Sequence, residues 1–161
     1  MMLRKRLITV VEGHGEVQAF PELLRRVLLD RFPAAYIDIP RPIRVSRDKF
    51  INDKSELTRV MALARAKASD AGAILLLLDA DDDCPAKLGE QLKLSCAQVA
   101  GACPFGVVLA CREYEAWFLA AAQSLAGYRG FPDSLSTPAQ PESTRDAKGW
   151  VRKHMGCYDP R

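Results

Sequence analysis

The sequence lacks any apolar run long enough to cross a bilayer. Its longest, such as Ala73 to Leu78, stop far short of the ~20 residues that a membrane helix needs. The basic start leads into an apolar stretch too short for a secretory signal, and this breaks into charge at Glu12. No membrane partner is therefore expected. The five cysteines (84, 96, 103, 111 and 157) are odd in number and contain no C-x-x-C pair. That spacing fits neither a zinc site nor a disulfide framework. Reduced thiols in a cytoplasmic protein are the simpler expectation. Aromatic residues are only 7% of the chain and form no interleaved stripe, which excludes an aromatic platform for stacking bases. There is no internal repeat and no P-loop.

What is present suits one globular α/β domain. The length of 161 residues and 48% hydrophobic content are enough for a real core. The net charge of +3 decides nothing about partners, but its distribution is uneven. Arg41 to Lys67 holds eight basic and three acidic residues, whereas Leu77 to Asp83 holds four aspartates and no base. A polyanion held through a bound cation would use such a pairing. The other reading of the basic segment is the solvated face of a helix and loop.

Periodicity gives the order βαβαβαβα. Leu7 to Val11 reads as a strand buried on both faces, followed by a turn over Glu12 to Glu16. Val17, Phe20, Leu23, Leu24, Val27 and Leu28 then recur at helical spacing, with Pro21 expected in the first turn. Tyr36 to Val45 is expected to be extended, at an edge or ending early, because Pro40 and Pro42 lack N–H groups. Leu57, Val60, Met61, Ala64 and Ala68 mark a second helix ending near Gly72. Ala73 to Leu78 reads as a central strand and Phe105 to Cys111 as another buried one. Leu88, Leu92, Cys96 and Val99 mark the helix between them, and Tyr114 to Leu125 a fourth. Alternating strands and helices imply a mostly parallel central sheet of about four strands, with helices on both faces. Residues 128–148 read as a Pro- and Ser-rich loop, and 149–155 as a short helix. The predicted division is residues 1–127 as the α/β domain and 128–161 as a Pro- and Ser-rich loop with a short helical tail, expected either to be loosely held or to be the incomplete end of a longer chain.

In a parallel sheet, ligands collect outside the carboxyl ends of the strands. Two strands here run directly into acid, one into Glu12 and one into Asp79-Ala80-Asp81-Asp82-Asp83. If extended geometry persists, alternation puts Asp79 and Asp81 on one side and Asp82 on the other. Asp83 is placed to join them or to cap the following helix. Clustered carboxylates repel one another, and a hard cation such as Mg²⁺ (or Mn²⁺) relieves the repulsion. Gly13 and Gly15 permit a tight turn and close approach of a phosphate. Glu16 reads either as a ligand or general base, or as an acid on the helix dipole. The aspartates have their own second reading, a solvated loop with incidental capping. His14 reads as a phosphate contact or as a solvent-facing side chain. A dinucleotide fingerprint is excluded because Gln18 stands where the third glycine belongs.

Val11-Glu12-Gly13-His14-Gly15-Glu16 and Leu78-Asp79-Ala80-Asp81-Asp82-Asp83, each at a strand end, resemble the Toprim domain. That is the metal-binding fold shared by topoisomerases, primases and the overcoming-lysogenization-defect nucleases, and Glu16 is more similar to the nuclease branch. Arg112 to Ala120 resembles a stretch of small bacterial Toprim-like proteins regarded as companions of ATPases in defence or mobile-element loci. The resemblance covers roughly residues 5–120. It implies a Rossmann-like Toprim fold in which Glu12 is a general acid/base or metal ligand and Asp79 and Asp81 bind Mg²⁺. Glu16 and Asp83 complete a second metal position, with Glu113 or Glu115 as an additional acid. Arg112 is the phosphate contact it implies; Gly13, His14 and Gly15 are the phosphate contacts that the turn itself offers, and Arg44, Arg47 and Lys49 the nucleic-acid contacts of the basic segment. Lys148, Arg152 and Lys153 are the basic residues late enough in the chain to steady transition-state charge. No tyrosine is placed to support topoisomerase chemistry.

The function these readings imply is Mg²⁺-dependent phosphodiester hydrolysis of nucleic acid, with an ATPase as partner. The alternatives are a catalytically weak nucleic-acid- or partner-binding module, and a small-molecule phosphohydrolase.

Overall fold

The computed structural model describes residues 5–33, 36–128, 130–156 and 158, so Cys157 and the terminal Asp159-Pro160-Arg161 lie outside the described residues. The chain forms two compact units: residues 1–78 with 89–108, and residues 79–88 with 109–161.

The first unit is built on β1 (Lys5–Val11), which hydrogen-bonds to neighbours along both edges. On one side it pairs in parallel with β4 (Ala73–Asp79), Leu7 opposite Ala73 and Val11 opposite Leu77. On the other side it pairs with two short strands, β2 (Ile37–Asp38) at its start and β3 (Ile43–Arg44) at its end. These two occupy the stretch expected to be one extended strand. Pro40 and Pro42 lie between them, and without N–H groups they cannot continue a ladder, so the strand breaks in two. β5 (Phe105–Ala110) is last in the order β2-β1-β4-β5. It starts beside β4 in the same direction, with Ile74 N–H donating to the Pro104 carbonyl (2.9 Å). As the terminal strand it is mostly half-buried rather than fully buried as expected. The strand pairs are parallel and helices flank the sheet, the α/β arrangement of a Rossmann-like fold.

Two helices depart from the sequence reading. α1 (His14–Arg31) begins three residues before its first apolar position. His14-Gly15-Glu16 form its first turn, so Pro21 sits inside the helix and removes one internal hydrogen bond. α2 (Arg47–Asn52), unforeseen, lies inside the basic segment, buries Phe50 and packs on α3 (Lys54–Ala68). Asp53 divides α2 from α3: its carboxylate accepts from the backbone of Ser55 (2.8 Å) and Glu56 (3.3 Å) as the N-cap of α3. α3 buries Leu57, Val60, Met61, Ala64 and Ala68, the five positions its spacing marked. Gly72 joins it to β4 where a Cβ would stand only 2.2 Å from the Ala68 carbonyl oxygen, so no larger residue fits.

The second unit has its own core. The expected fourth helix is divided at Ala121 into α5 (Ala116–Ala120) and α6 (Ala122–Leu125). A 3₁₀ turn (Pro141–Ser143) interrupts the loop that follows. α7 (Ala147–His154) packs on α5, and Ala147 and Val151 are buried with Ala116, Leu119 and Phe131. The segment expected to be loosely held therefore completes this core, because α7 is amphipathic and has apolar surface to bury. α4 (Pro85–Ala100) leaves the acidic loop, and no helix among the described residues is long and apolar enough to cross a membrane.

Two substitutions in the first unit should move stability in opposite directions. Leu76 is fully buried, and Leu76→Ala should cost about 2–5 kcal/mol. Thr9 is equally buried, and its hydroxyl finds no hydrogen-bond partner among the described residues. Thr9→Val keeps the shape, removes that polar atom and should stabilise by about 1 kcal/mol. Urea midpoints of the two variants test both signs.

Candidate acidic site

In the first unit, the chain leaves β1 through half-buried Glu12, and Gly13 takes the N-cap position of α1 in extended geometry. Glu16 is only 4% exposed. Its carboxylate lies over Gly13, where an added Cβ would come within 2.2 Å of one carboxylate oxygen. A side chain at residue 13 would therefore have to displace the Glu16 carboxylate, and Glu16 satisfies the positive end of α1. Gly15 has open space around it, so nothing within the molecule demands a glycine there. His14 is exposed.

The three basic candidates in this unit differ. Arg44 on β3 and Lys49 on α2 face solvent. The Arg47 side chain is only 9% exposed and pairs with Asp48 (3.2 Å), so it belongs to the packing of α2.

In the second unit, Asp79 ends β4 and is 6% exposed. One of its oxygens accepts from the Tyr114 backbone N–H at 2.7 Å. Strand-like bonding continues past it, as Ala80 N–H donates to the Ala110 carbonyl (2.9 Å) and Asp81 N–H to the Arg112 carbonyl (3.0 Å). The acidic loop is thereby tied to the Cys111–Glu115 segment.

At Asp81 the backbone turns left-handed (φ +50°), and Arg112 does the same (φ +63°). The extended alternation expected from Asp79 to Asp83 thus ends at Asp81. Asp tolerates this region better than most residues, because its short side chain can bond locally. Asp82, 81% exposed, pairs with Arg112 (3.1 Å) and lies 3.9 Å from the Arg145 guanidinium. Pairs this exposed stabilise little, so they orient the loop more than they hold it.

Asp83 is exposed, its N–H donates to the Ala80 carbonyl, and Pro85 is the first residue of α4. Cys84 stands at the N-cap position. Hydrogen bonds from the backbone N–H groups of Lys87 and Ala86, together with the Lys87 charge, hold its thiol below the ordinary cysteine range. Pro85 at the first helical position was the signal in the sequence that residue 84 would be the cap.

The two further acids anchor the end of the chain. Glu113 accepts from Lys148 N–H (3.0 Å) in the first turn of α7. Glu115, 3% exposed, accepts from the Tyr158 hydroxyl at 2.5 Å. Sequence reasoning had no means to find Tyr158, which lies 43 positions away. Lys148 is half-buried, while Arg152 and Lys153 are exposed on the last turn of α7.

Among the described residues, no group of three or more His, Cys, Asp or Glu is placed to hold a metal ion. These carboxylates therefore do not form a finished cage of the kind that binds a structural metal. Mg²⁺ makes a smaller demand, keeping several waters and taking one or two carboxylates plus substrate phosphates. Asp79 and Asp81 supply the oxygen donors such a site uses.

Residues 11–155 match the model of a family described as a domain of unknown function, DUF4276. No curated protein and no solved structure matches the chain.

The thiols report on this geometry. Cys84 is exposed with a lowered pKa, whereas burial pushes Cys96 up to about 11. The thiolate of Cys84 thus forms at lower pH. In native protein in EDTA, iodoacetamide should alkylate Cys84 first, with a rate that rises at lower pH than for an ordinary thiol, and should spare Cys96. Peptide mapping by mass spectrometry across a pH series checks this order, and labelling of Cys96 as fast as Cys84 would show that the two environments are misassigned.

Proposed function

The chain belongs to the DUF4276 family, and we propose that it is a divalent-metal-dependent phosphodiesterase acting on nucleic acid. The observation that carries this reading is the acidic loop of the second unit, where Asp79 closes the parallel strand β4, is fixed by the Tyr114 N–H and is followed two residues on by Asp81. The carboxyl end of a parallel strand is where α/β proteins bind ligands.

The roles follow from chemistry. Asp79 and Asp81 would be the metal ligands, and bound Mg²⁺ or Mn²⁺ would neutralise phosphate charge. Asp79 is oriented by the Tyr114 N–H, which fixes one oxygen in place. Glu12, half-buried at the end of β1, is the candidate for proton transfer. Glu16 is the dipole acid that fixes the first turn of α1. Glu113 and Glu115 hold the chain end and lie outside the reacting set. Arg112 already balances Asp82 and is the cation available to a phosphate at this loop.

A second reading, a binding module with little catalysis, is favoured by one observation. Asp79 and Asp82 are already engaged, the first by a backbone N–H and the second by Arg112. A site that only holds a polyanion would need no open coordination positions.

Asp79→Asn and Asp81→Asn separate the readings. Asparagine still accepts the Tyr114 N–H and tolerates the left-handed turn, so both variants should fold. With labelled DNA and RNA in Mg²⁺ or Mn²⁺, the wild-type chain should cleave and EDTA should abolish cleavage. Each aspartate variant should lose more than about 100-fold in rate, judged against the losses seen when even outer-shell groups of metal sites are removed. Glu12→Gln should lose about 10²–10⁴-fold while Mn²⁺ binding is retained. Wild-type binding of nucleic acid without cleavage, unchanged in the aspartate variants, would favour the binding module.

A further inference from the structure

A groove of about 470 Å³ runs along the first unit between α1 and the link joining β2 to β3. Its α1 wall is made by His14, Gln18, Pro21 and Arg25, a spacing of four, three and four residues that keeps them on one helical face. Its opposite wall is Pro40-Arg41-Pro42. Among the described residues, no aspartate or glutamate lines it.

The two arginines are presented differently. Arg25 is braced, donating to the Ile39 carbonyl at 2.9 Å and pairing with Glu22. This fixes its guanidinium toward the groove while leaving further donors of the five-donor fork uncommitted among the described residues. Arg41 is exposed and has no ion pair among the described residues. It stands between two prolines, so its backbone is restricted to extended geometry and loses little freedom when its side chain is engaged. Arg25 and Arg41 thus stand on opposite walls of the groove, two cations that suit successive phosphates of a chain.

From this geometry we propose that the groove is a track for the phosphate backbone of single-stranded nucleic acid. This rests on the reading above for its polymer class but concerns different residues. A concave cleft of this size admits one strand. A duplex is itself convex and receives protruding helices or ribbons in its major groove. The arginines take phosphates, and the apolar face of half-buried Pro40 lies against sugar or base, over a floor closed by buried Pro21 and Pro42. Gln18 supplies a neutral donor between them.

The test is fluorescence anisotropy with short labelled oligonucleotides in EDTA over a salt series, using the full chain. Arg41→Gln should flatten the slope of log K against log salt by about 0.7, the increment per phosphate contact on single strands. Arg25→Gln/Arg41→Gln should flatten it by about 1.4 and weaken binding about tenfold at low salt. Arg31→Gln/Arg59→Gln removes the same charge from exposed positions outside the groove and should bind as wild type does. Because Arg41 has no ion pair to lose, its single variant separates loss of binding from loss of fold, and a thermal melt checks both variants.

Equal loss in the control pair, no loss in the groove variants, tighter binding of duplex than of single strand, or no binding by the wild type would each overturn the assignment. Displacement of the oligonucleotide by a phosphoserine peptide at lower concentration than by unlabelled oligonucleotide would also overturn it, in favour of a protein partner. Binding in EDTA involves no turnover. A groove that fails therefore leaves the hydrolysis proposal standing, and a groove that binds in a chain that never cleaves removes only that proposal.

Discussion

β1 makes backbone hydrogen bonds to three other strands, and the organisation of the first unit follows from that. Its last four residues are buried on both faces, so every polar backbone group there must be answered by a neighbour. β4 answers along one edge over five paired residues, while β2 and β3 share the other edge, one at each end. The alignment of β1 with β4 fixes where each strand stops. Because the pairing is parallel, both stop at the same end of the sheet. The Glu12 turn is thus a product of strand register before it is a product of its own sequence.

A second constraint acts in the other unit, where side chains do the work that strands do in the first. The Cys111–Glu115 segment has almost no regular structure, yet nearly every residue in it makes a defined bond. Arg112 offers its carbonyl to Asp81 and its guanidinium to Asp82, and Tyr114 offers its N–H to Asp79. Glu113 and Glu115 reach the opposite way, to α7 and to Tyr158. The segment connects the acidic loop to the C-terminal helix, and the small apolar core of Leu119, Phe131 and Val151 keeps the two ends of that connection in place.

Much of the architecture could be read from the sequence because it depends on local periodicity. The run Ala73 to Leu78 is a short, continuous apolar segment bounded by Gly72 and Asp79, and the five buried positions of α3 recur at helical spacing, so burial enforces both directly. What could not be read depends on long-range or backbone-specific facts. Nothing in Tyr36 to Val45 says that its two halves would serve opposite ends of β1. The basic segment looked uniform, yet Arg47 turned inward because Phe50 on the same short helix is buried. The acids were found, but their geometry was not, since alternation fails where Asp81 adopts a positive φ. Glu113 and Glu115 carry the same charge as the other candidates, and only their partners at Lys148 and Tyr158 show that they brace the fold.

The left-handed pair Asp81 and Arg112, joined by one backbone hydrogen bond, has a consequence for descent. A residue held at positive φ can drift only among types that tolerate it, chiefly glycine, asparagine and aspartate. At Asp81 the shape of the turn and the charge of the side chain therefore impose separate filters. A relative carrying asparagine or glycine there would keep the loop and lose the carboxylate. The fold could thus persist in lineages whose chemistry has lapsed, and position 81 would be where such a lapse is recorded.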